Sequence, residues 1–440
     1  MALLGFASAA GPLWAAKKTD KTQPVLMPTY STAFSAAIDE IVNTTMLKLR
    51  IPSVTVAVAH NGVLLHTGAY GLSHVKADVV PTPATVYLLD SMTKQFTAAG
   101  IMLLVQDGKL DIDKPVKTYI PYAPRSWDNI TLRHLLTHTS GLPHDPQWGY
   151  PSVKSQDEDP DRLLKHHIFN AHLKTAPGQK YAYSNTGYAC LGAIISKVSG
   201  MPYSHFMNER IFQPLKMTST GISLSGGDVK HGARGYNYVS AKKEWSLNTD
   251  GNQPLAAGAI ESTVLDLAKW DAALNGNTIL TAASREEMWK SYKLNSGQMS
   301  DYGFGWVPET VNGQPLVWHN GGGWGFNNAF YRYLGPGLTV IVLTNLELEA
   351  SGTSHADELA QEIAAAYSPD LNMDNGSDGK TNDAAGKGAG KKSTNASDTS
   401  GSSNKKEDPK AGKSGAKKGG GPDEKSNSTT ESDDFGTGER

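Results

Sequence analysis

Ser91-Met92-Thr93-Lys94-Gln95-Phe96-Thr97-Ala98-Ala99-Gly100-Ile101-Met102-Leu103 is the stretch from which the rest of this 440-residue chain can be read. Met92, Phe96, Ala99 and Leu103 recur at helical spacing and predict a helix with one apolar face, opening near Asp90-Ser91. On a helix, side chains at i and i+3 share a side with Cβ atoms about 5–6 Å apart, so the Lys94 amine can reach the Ser91 hydroxyl. A serine hydroxyl is a poor nucleophile unless a base lies within reach, and a lysine becomes a base near neutrality when a low-dielectric cleft lowers its pKa. The opening of the helix also offers backbone N–H groups, one of which can hold an oxyanion. Ser-x-x-Lys alone carries little weight, because it recurs here at Ser73/Lys76 and Ser240/Lys243. Ser91 is set apart by the apolar helix that follows it and by two motifs downstream.

The first is Tyr183-Ser184-Asn185, in a loop after Pro177-Gly178 and before a second helical run that holds Cys190. A phenol can carry a proton and an amide can hold a substrate carbonyl, although an ordinary loop tyrosine beside a helix-capping residue would read the same way. The second is His319-Asn320-Gly321-Gly322, which ends the strand-like run Leu316-Val317-Trp318. Glycine after a strand lets backbone approach a ligand closely, and the Gly322 N–H is a candidate second oxyanion donor. His319 brings an imidazole whose charge ordinarily changes near neutrality, so it can serve as a hydrogen-bond donor or as a pH-dependent cation. Nucleophile, proton carriers and oxyanion site together specify a serine acyl-transfer enzyme that needs no metal or cofactor.

Strands are expected early and late. Val54, Val56 and Val58 alternate up to Asn61-Gly62, and Val63-Leu64-Leu65 resumes beyond it, which is a hairpin signal. Leu316–His319, Ala329–Tyr333 and Thr339–Leu343 read as strands, while the Phe34/Ile38/Ile41/Met46 pattern and Asp357–Tyr367 read as an opening and a closing helix. The expected division is a leader (1–29) and a catalytic region (30–368), followed by a low-complexity tail (369–440). Within the catalytic region a sheet domain (about 30–85 and 255–368) is interrupted by a mostly helical insert (about 86–254), with the active site at their seam. The tail has too few large apolar residues to offset its ordering entropy and is given no catalytic part.

Lys plus Arg (41) nearly cancels Asp plus Glu (43), and no basic stripe with interleaved aromatics occurs, which argues against a nucleic-acid partner. The expected partner is a small-molecule or peptide substrate. No stretch is apolar for the 18 to 20 residues of a membrane span, and the sequence carries no signal for oligomeric state. The small-residue apolar leader, which lacks a basic start, predicts export to the periplasm or medium. Cys190 is the only cysteine and its apolar neighbours predict a buried structural thiol. His134 and His138 stand four apart, but without a third ligand they read as ordinary histidines rather than a metal site. No Gly-x-Ser-x-Gly elbow is present.

With its three motifs in this order, the chain resembles the family of class C β-lactamases, D-alanyl-D-alanine carboxypeptidases and related serine esterases. Leu135–Pro143, Pro177–Tyr188, Ala257-Gly258, Ser262–Ala268, Tyr302–Trp306 and His319–Phe326 carry the likeness further, over roughly residues 30 to 368. The resemblance implies an α/β (α+β) fold of the β-lactamase/transpeptidase type, a central antiparallel sheet flanked by helices with an inserted helical domain. It implies Ser91 as the acylated nucleophile, Lys94 and Tyr183 as proton carriers, and Asn185, His319 and Gly321 as substrate contacts. The N–H groups of Ser91 and Gly322 would form the oxyanion hole. Where efficient β-lactamases carry Lys-Thr-Gly this chain has His319-Asn320-Gly321, so the resemblance points toward the peptidase and esterase branches. Glu244-Trp245-Ser246-Leu247-Asn248 matches the letters of the class A deacylation motif but lies well downstream of Tyr183 and reads as chance. The competing reading is a catalytically inactive homologue that binds peptidoglycan or protein partners.

Overall fold

The computed structural model describes residues 32–146, 159–223, 229, 232–248, 255–347 and 354–373; the expected leader and the tail from 374 onward lie outside the described residues. In chain order the elements begin with α1 (Thr32–Leu49), β1 (Ser53–His60), β2 (Val63–Gly71), β3 (Tyr87–Leu88), α2 (Thr93–Gln106) and α3 (Leu132–Leu136). There follow α4 (Pro160–Leu163), α5 (Asn185–Ser199), α6 (Tyr203–Met207), β4 (Gly221–Ile222), β5 (Tyr236–Val239), β6 (Glu244–Leu247) and β7 (Ile260–Ser262). The last are α7 (Val264–Leu274), α8 (Ala282–Met288), β8 (Val307–Val311), β9 (Gln314–Gly323), β10 (Phe326–Tyr333), β11 (Leu338–Thr344) and α9 (His355–Tyr367).

The main sheet is antiparallel, in the order β2-β1-β11-β10-β9-β8. The first two strands are joined through Asn61-Gly62, both with positive φ (51° and 77°), as the right-handed twist of a tight hairpin requires. β1 then pairs with the last strand, Val56 opposite Val342, so the two ends of the chain close one sheet.

Both faces of this sheet are covered. Val54, Val56 and Val58 of β1, Val340 and Val342 of β11, and Tyr331 and Tyr333 of β10 face one core with Ile38 and Val42 of α1 and Leu359 and Ile363 of α9. Their alternates, Ala57, Ile341, Leu343 and Phe330, face a second core shared with α2, α5 and α7. The period-2 pattern of a strand thus feeds two apolar layers, and each fully buried large side chain contributes about 1.5–3 kcal/mol. The first core runs past the expected boundary at 368, since Leu371 and Met373 are buried in it. Among the described residues no helix is long and apolar enough to cross a membrane.

α2 differs from its expected form. Instead of one apolar face it is buried all round from Thr93 to Leu104, because it threads between α5, α6 and α7. Phe96 packs on Trp270 of α7 at 4.8 Å between ring centroids and on Phe212 at 5.8 Å. A helix enclosed in this way fixes whatever its first turn carries.

Candidate active site

That first turn carries Ser91. Asp90–Met92 form a 3-10 turn that runs directly into α2, leaving Ser91 half-buried and Lys94 fully buried. Lys94 Nζ donates to Ser91 Oγ (3.1 Å), to Asn185 Oδ1 (2.8 Å) and to the Ala257 carbonyl (2.7 Å), and it stands over the Tyr183 ring at 4.8 Å from the centroid. Burial lowers its pKa from 10.5 to about 7, against the opposing charges of Asp145 and Asp90. The geometry predicted from i, i+3 spacing is therefore present, and the amine is half neutral near pH 7.

Tyr183 lies in an irregular segment and Asn185 is the first residue of α5, which is capped by the Ser184 side chain accepting from the Gly187 N–H. The capping role thus belongs to Ser184, leaving Asn185 free to face Lys94. The Tyr183 hydroxyl is buried and makes no hydrogen bond among the described residues. Burial pushes the phenol above its ordinary value, an effect opposed by the adjacent Ser91 hydroxyl, which is close but outside hydrogen-bond geometry.

β9 forms the opposite wall. Gly321 is pressed against the Ser91 turn: a Cβ there would sit 2.1 Å from the Leu89 carbonyl oxygen and 3.1 Å from the Ser91 nitrogen. The alternation of the strand turns His319 and Gly321 toward this wall and Asn320 to the other face, where its amide donates to Asp357 on α9 at 2.6 Å.

Of the two readings of His319, the structure favours the hydrogen-bond donor over the cation. It is fully buried, with Nδ1 on the Asn320 carbonyl at 2.5 Å and Nε2 at 2.8 Å from the Tyr302 hydroxyl. A carbonyl only accepts, so Nδ1 carries the proton and Nε2 accepts from Tyr302. Burial and the nearby Lys94 lower its pKa to about 3. The imidazole is a fixed neutral group rather than a cation that switches near neutrality.

Three residues at the site had not been singled out as part of it. Asp145 accepts from the Asn185 amide at 3.1 Å and pairs with His144 at 2.6 Å; no motif marks it. Asp90, immediately before Ser91, has φ +50° and a buried carboxyl with no hydrogen-bond partner among the described residues, which burial holds well above the ordinary carboxylate range. Tyr302 lay within a stretch quoted for family likeness, where nothing announced its bond to His319. The His134 ring nitrogens are engaged by Thr131 and Tyr292. Glu244 is exposed on β6 and pairs with Lys242, in keeping with its motif match being chance. Cys190 is buried, as its neighbours predicted.

An enclosed Ser-x-x-Lys turn facing a Tyr-x-Asn loop and a glycine strand, beside an antiparallel sheet, defines a class of serine hydrolases. The beta-lactamase family matches residues 35–365; the chain belongs to that family and is a serine hydrolase. Penicillin-binding protein 4* of Bacillus subtilis (strain 168) is 32% identical over 310 residues, which are 67% of this chain and 68% of the relative. Two solved structures share the fold. The octameric penicillin-binding protein homologue from Pyrococcus abyssi has a TM-score of 0.63 at 26% identity, covering 76% of this chain and 77% of its own. The D-amino acid amidase from Ochrobactrum anthropi SV3, complexed with D-phenylalanine, has a TM-score of 0.63 at 25% identity, covering 76% and 99%.

Proposed function

We propose that the protein hydrolyses amide or ester bonds of D-amino-acid peptides, amino-acid amides or small esters through an acyl-enzyme on Ser91. The observation that carries this reading is the Lys94 amine, 3.1 Å from Ser91 Oγ and held by burial near a pKa of about 7. Neutral Lys94 takes the Ser91 proton as Oγ attacks the carbonyl carbon, giving a tetrahedral intermediate. The N–H groups of Ser91 and Gly322 hold its oxyanion, an effect worth about 2.7–4 kcal/mol per donor in comparable sites. Tyr183, above Lys94, relays that proton to the leaving nitrogen or oxygen as the C–N or C–O bond breaks. Water then attacks the acyl-enzyme by the reverse path, giving up its proton to Lys94 and Tyr183 while Ser91 Oγ regains one. Asn185 contacts the substrate carbonyl, and Gly321, having no side chain, lets β9 close on the Ser91 turn beside which the substrate lies. The similarity to a D-amino acid amidase supports the amide branch. A neutral, enclosed His319 supplies no cation for a substrate carboxylate, which disfavours efficient β-lactam hydrolysis. The apolar leader supports export to the periplasm or medium, to be checked by N-terminal sequencing of protein recovered outside the cell.

The test is intact-mass spectrometry after incubation with a fluorophosphonate and, separately, a chromogenic β-lactam, followed by peptide mapping. A Ser91 adduct with the fluorophosphonate is expected, absent in Ser91→Ala. If folded protein shows no adduct with either reagent, the inactive binding homologue becomes the better reading.

A further inference from the structure

Tyr183 lies in a loop, and a proton carrier must be held more firmly than loops usually are. Within a segment that has no helix or strand ladder, each buried main-chain N–H needs another partner. The two N–H groups flanking Tyr183 end on one residue: Ala182 N donates to the His138 carbonyl at 2.8 Å, and Ser184 N donates to His138 Nδ1 at 3.0 Å. The His138 ring also lies 4.2 Å from the Tyr183 ring, tilted by 32°. We propose that His138 is a positioning residue for Tyr183, its carbonyl and Nδ1 fixing the main chain on both sides of the tyrosine and its ring face setting the tilt of the phenol. This rests on Tyr183 carrying the proton in the reaction proposed above.

Several features distinguish this from ordinary core filling. His138 has φ +56°, a conformation that residues bearing a side chain rarely adopt, and it turns carbonyl and ring toward the same loop. Its surroundings extend the same grip, since Thr139 O accepts from Gly178 N (2.7 Å), Pro143 O from the Ser184 hydroxyl (2.7 Å) and His144 O from Thr186 N (3.1 Å). The strand-less 138–144 segment is thus the seat on which the Tyr183-Ser184-Asn185 motif is laid. Nδ1 accepts from an N–H and so holds no proton, which leaves the ring neutral with its proton on Nε2; that atom has no partner among the described residues. Only histidine combines this acceptor with a flat face. Asparagine keeps the acceptor, because its Oδ1 falls near the position of Nδ1, and loses the face; phenylalanine keeps the face and loses the acceptor.

The pair separates clamp from filler. The full chain is prepared as wild type, Ser91→Ala, His138→Phe and His138→Asn, checked by near-UV circular dichroism and thermal melting, and assayed for fluorophosphonate labelling and p-nitrophenyl acetate hydrolysis. A 1 Å misplacement of a catalytic group costs roughly 10²-fold, so His138→Phe is expected to lower kcat about 10- to 100-fold with KM within about twofold. His138→Asn is expected to be at least about fivefold faster than His138→Phe. Wild-type kcat in His138→Phe, or an Asn variant no faster than the Phe variant, overturns the proposal, since a filler role predicts that phenylalanine is the better substitute. If the Phe variant does not fold, a folded His138→Asn with kcat reduced more than about 100-fold overturns it as well, and one within about tenfold of wild type supports it. Wild type that labels no better than Ser91→Ala overturns the acyl-enzyme reading itself, a failure read from different proteins.

Discussion

Asp145→Asn should move the acid limb of the pH–rate profile downward. The structure links the Asp145 carboxylate to Lys94 through one amide: Lys94 Nζ to Asn185 Oδ1 is 2.8 Å and Asn185 Nδ2 to Asp145 Oδ1 is 3.1 Å. Adding the width of the amide puts the two charges up to about 8 Å apart, where Coulomb's law gives about 0.5 kcal/mol at the dielectric of water and about 2 kcal/mol at an effective value of 20. The Asp145 side chain is 46% exposed, so solvent screening keeps the interaction in the lower half of that range. Removing the negative charge favours the neutral amine and lowers the Lys94 pKa from its value of about 7. The expected displacement is roughly 0.4 to 1 pH. Neutral lysine at pH 6 then rises from about one part in eleven to between a fifth and a half, and Ser91 labelling at that pH accelerates about two- to fivefold. At pH 8.5, where the amine is already neutral, little should change. The assay is the rate constant for fluorophosphonate labelling, with kcat/KM for an ester as a companion because it reports pKa values of the free enzyme, from pH 5 to 9 at constant ionic strength. Asparagine keeps the shape and can still accept from Asn185, so altered packing does not imitate the effect. An acid limb that stays in place or moves upward would refute the assignment of Lys94 as the base and Asp145 as the charge that tunes it.

Four further outcomes are expected. Ser91→Ala abolishes turnover and labelling while the melting temperature stays within a few degrees; turnover that persists would end the case for Ser91. Lys94→Met abolishes turnover and removes a buried amine whose pKa is lower folded than unfolded, a penalty fully present below about pH 7 and relieved as pH rises toward 10.5. The stability of the variant relative to wild type should therefore fall between pH 7 and 10, and a pH-independent difference in melting temperature would contradict it. Gly321→Ala drives a methyl group into the Leu89 carbonyl, so activity should collapse with a loss of about 1–3 kcal/mol in chemical denaturation, and a fully active variant would refute the close approach. His319→Gln should lower the rate yet leave the acid limb near pH 7, because the imidazole already stays neutral down to about pH 3; a displaced limb would show that His319 titrates in the working range.

Local signals carried the frame of this fold. Asn61-Gly62 dictated the first hairpin through its backbone preference, and the valine-rich runs at 54–58 and 339–343 marked the strands that meet at the centre. β8 escaped because it is an edge strand in which Pro308 and Glu309 interrupt the pattern, a composition tolerated where one side needs no ladder. At the site, the Ser91–Lys94 contact was readable because helix geometry alone brings the two together, whereas the contact of Asn185 with Lys94 depends on where the segment before α5 lies. The neutrality of His319 was not readable, since it depends on Tyr302 and on burial under a second layer. Asp145 and Asp90 carry no motif, and their influence arises only when separate segments converge on Lys94. His138 was visible as a residue, but its tasks depend on where residues 182 and 184 come to lie.

The closure of one sheet by the two ends of the chain gives catalysis a built-in order of assembly. Ser91, Lys94, Tyr183 and Asn185 have all been synthesised before β9 exists, but the wall that presses on the Ser91 nitrogen belongs to β9, and β9 is held through β10 and β11 to β1. Contacts so distant along the chain form late, because the loop between them must first be closed. A nascent or truncated chain that stops short of β11 therefore carries Ser91 and Lys94 without the β9 wall that closes on them. On the acyl-enzyme reading proposed above, labelling of Ser91 would then report that the last strand is seated.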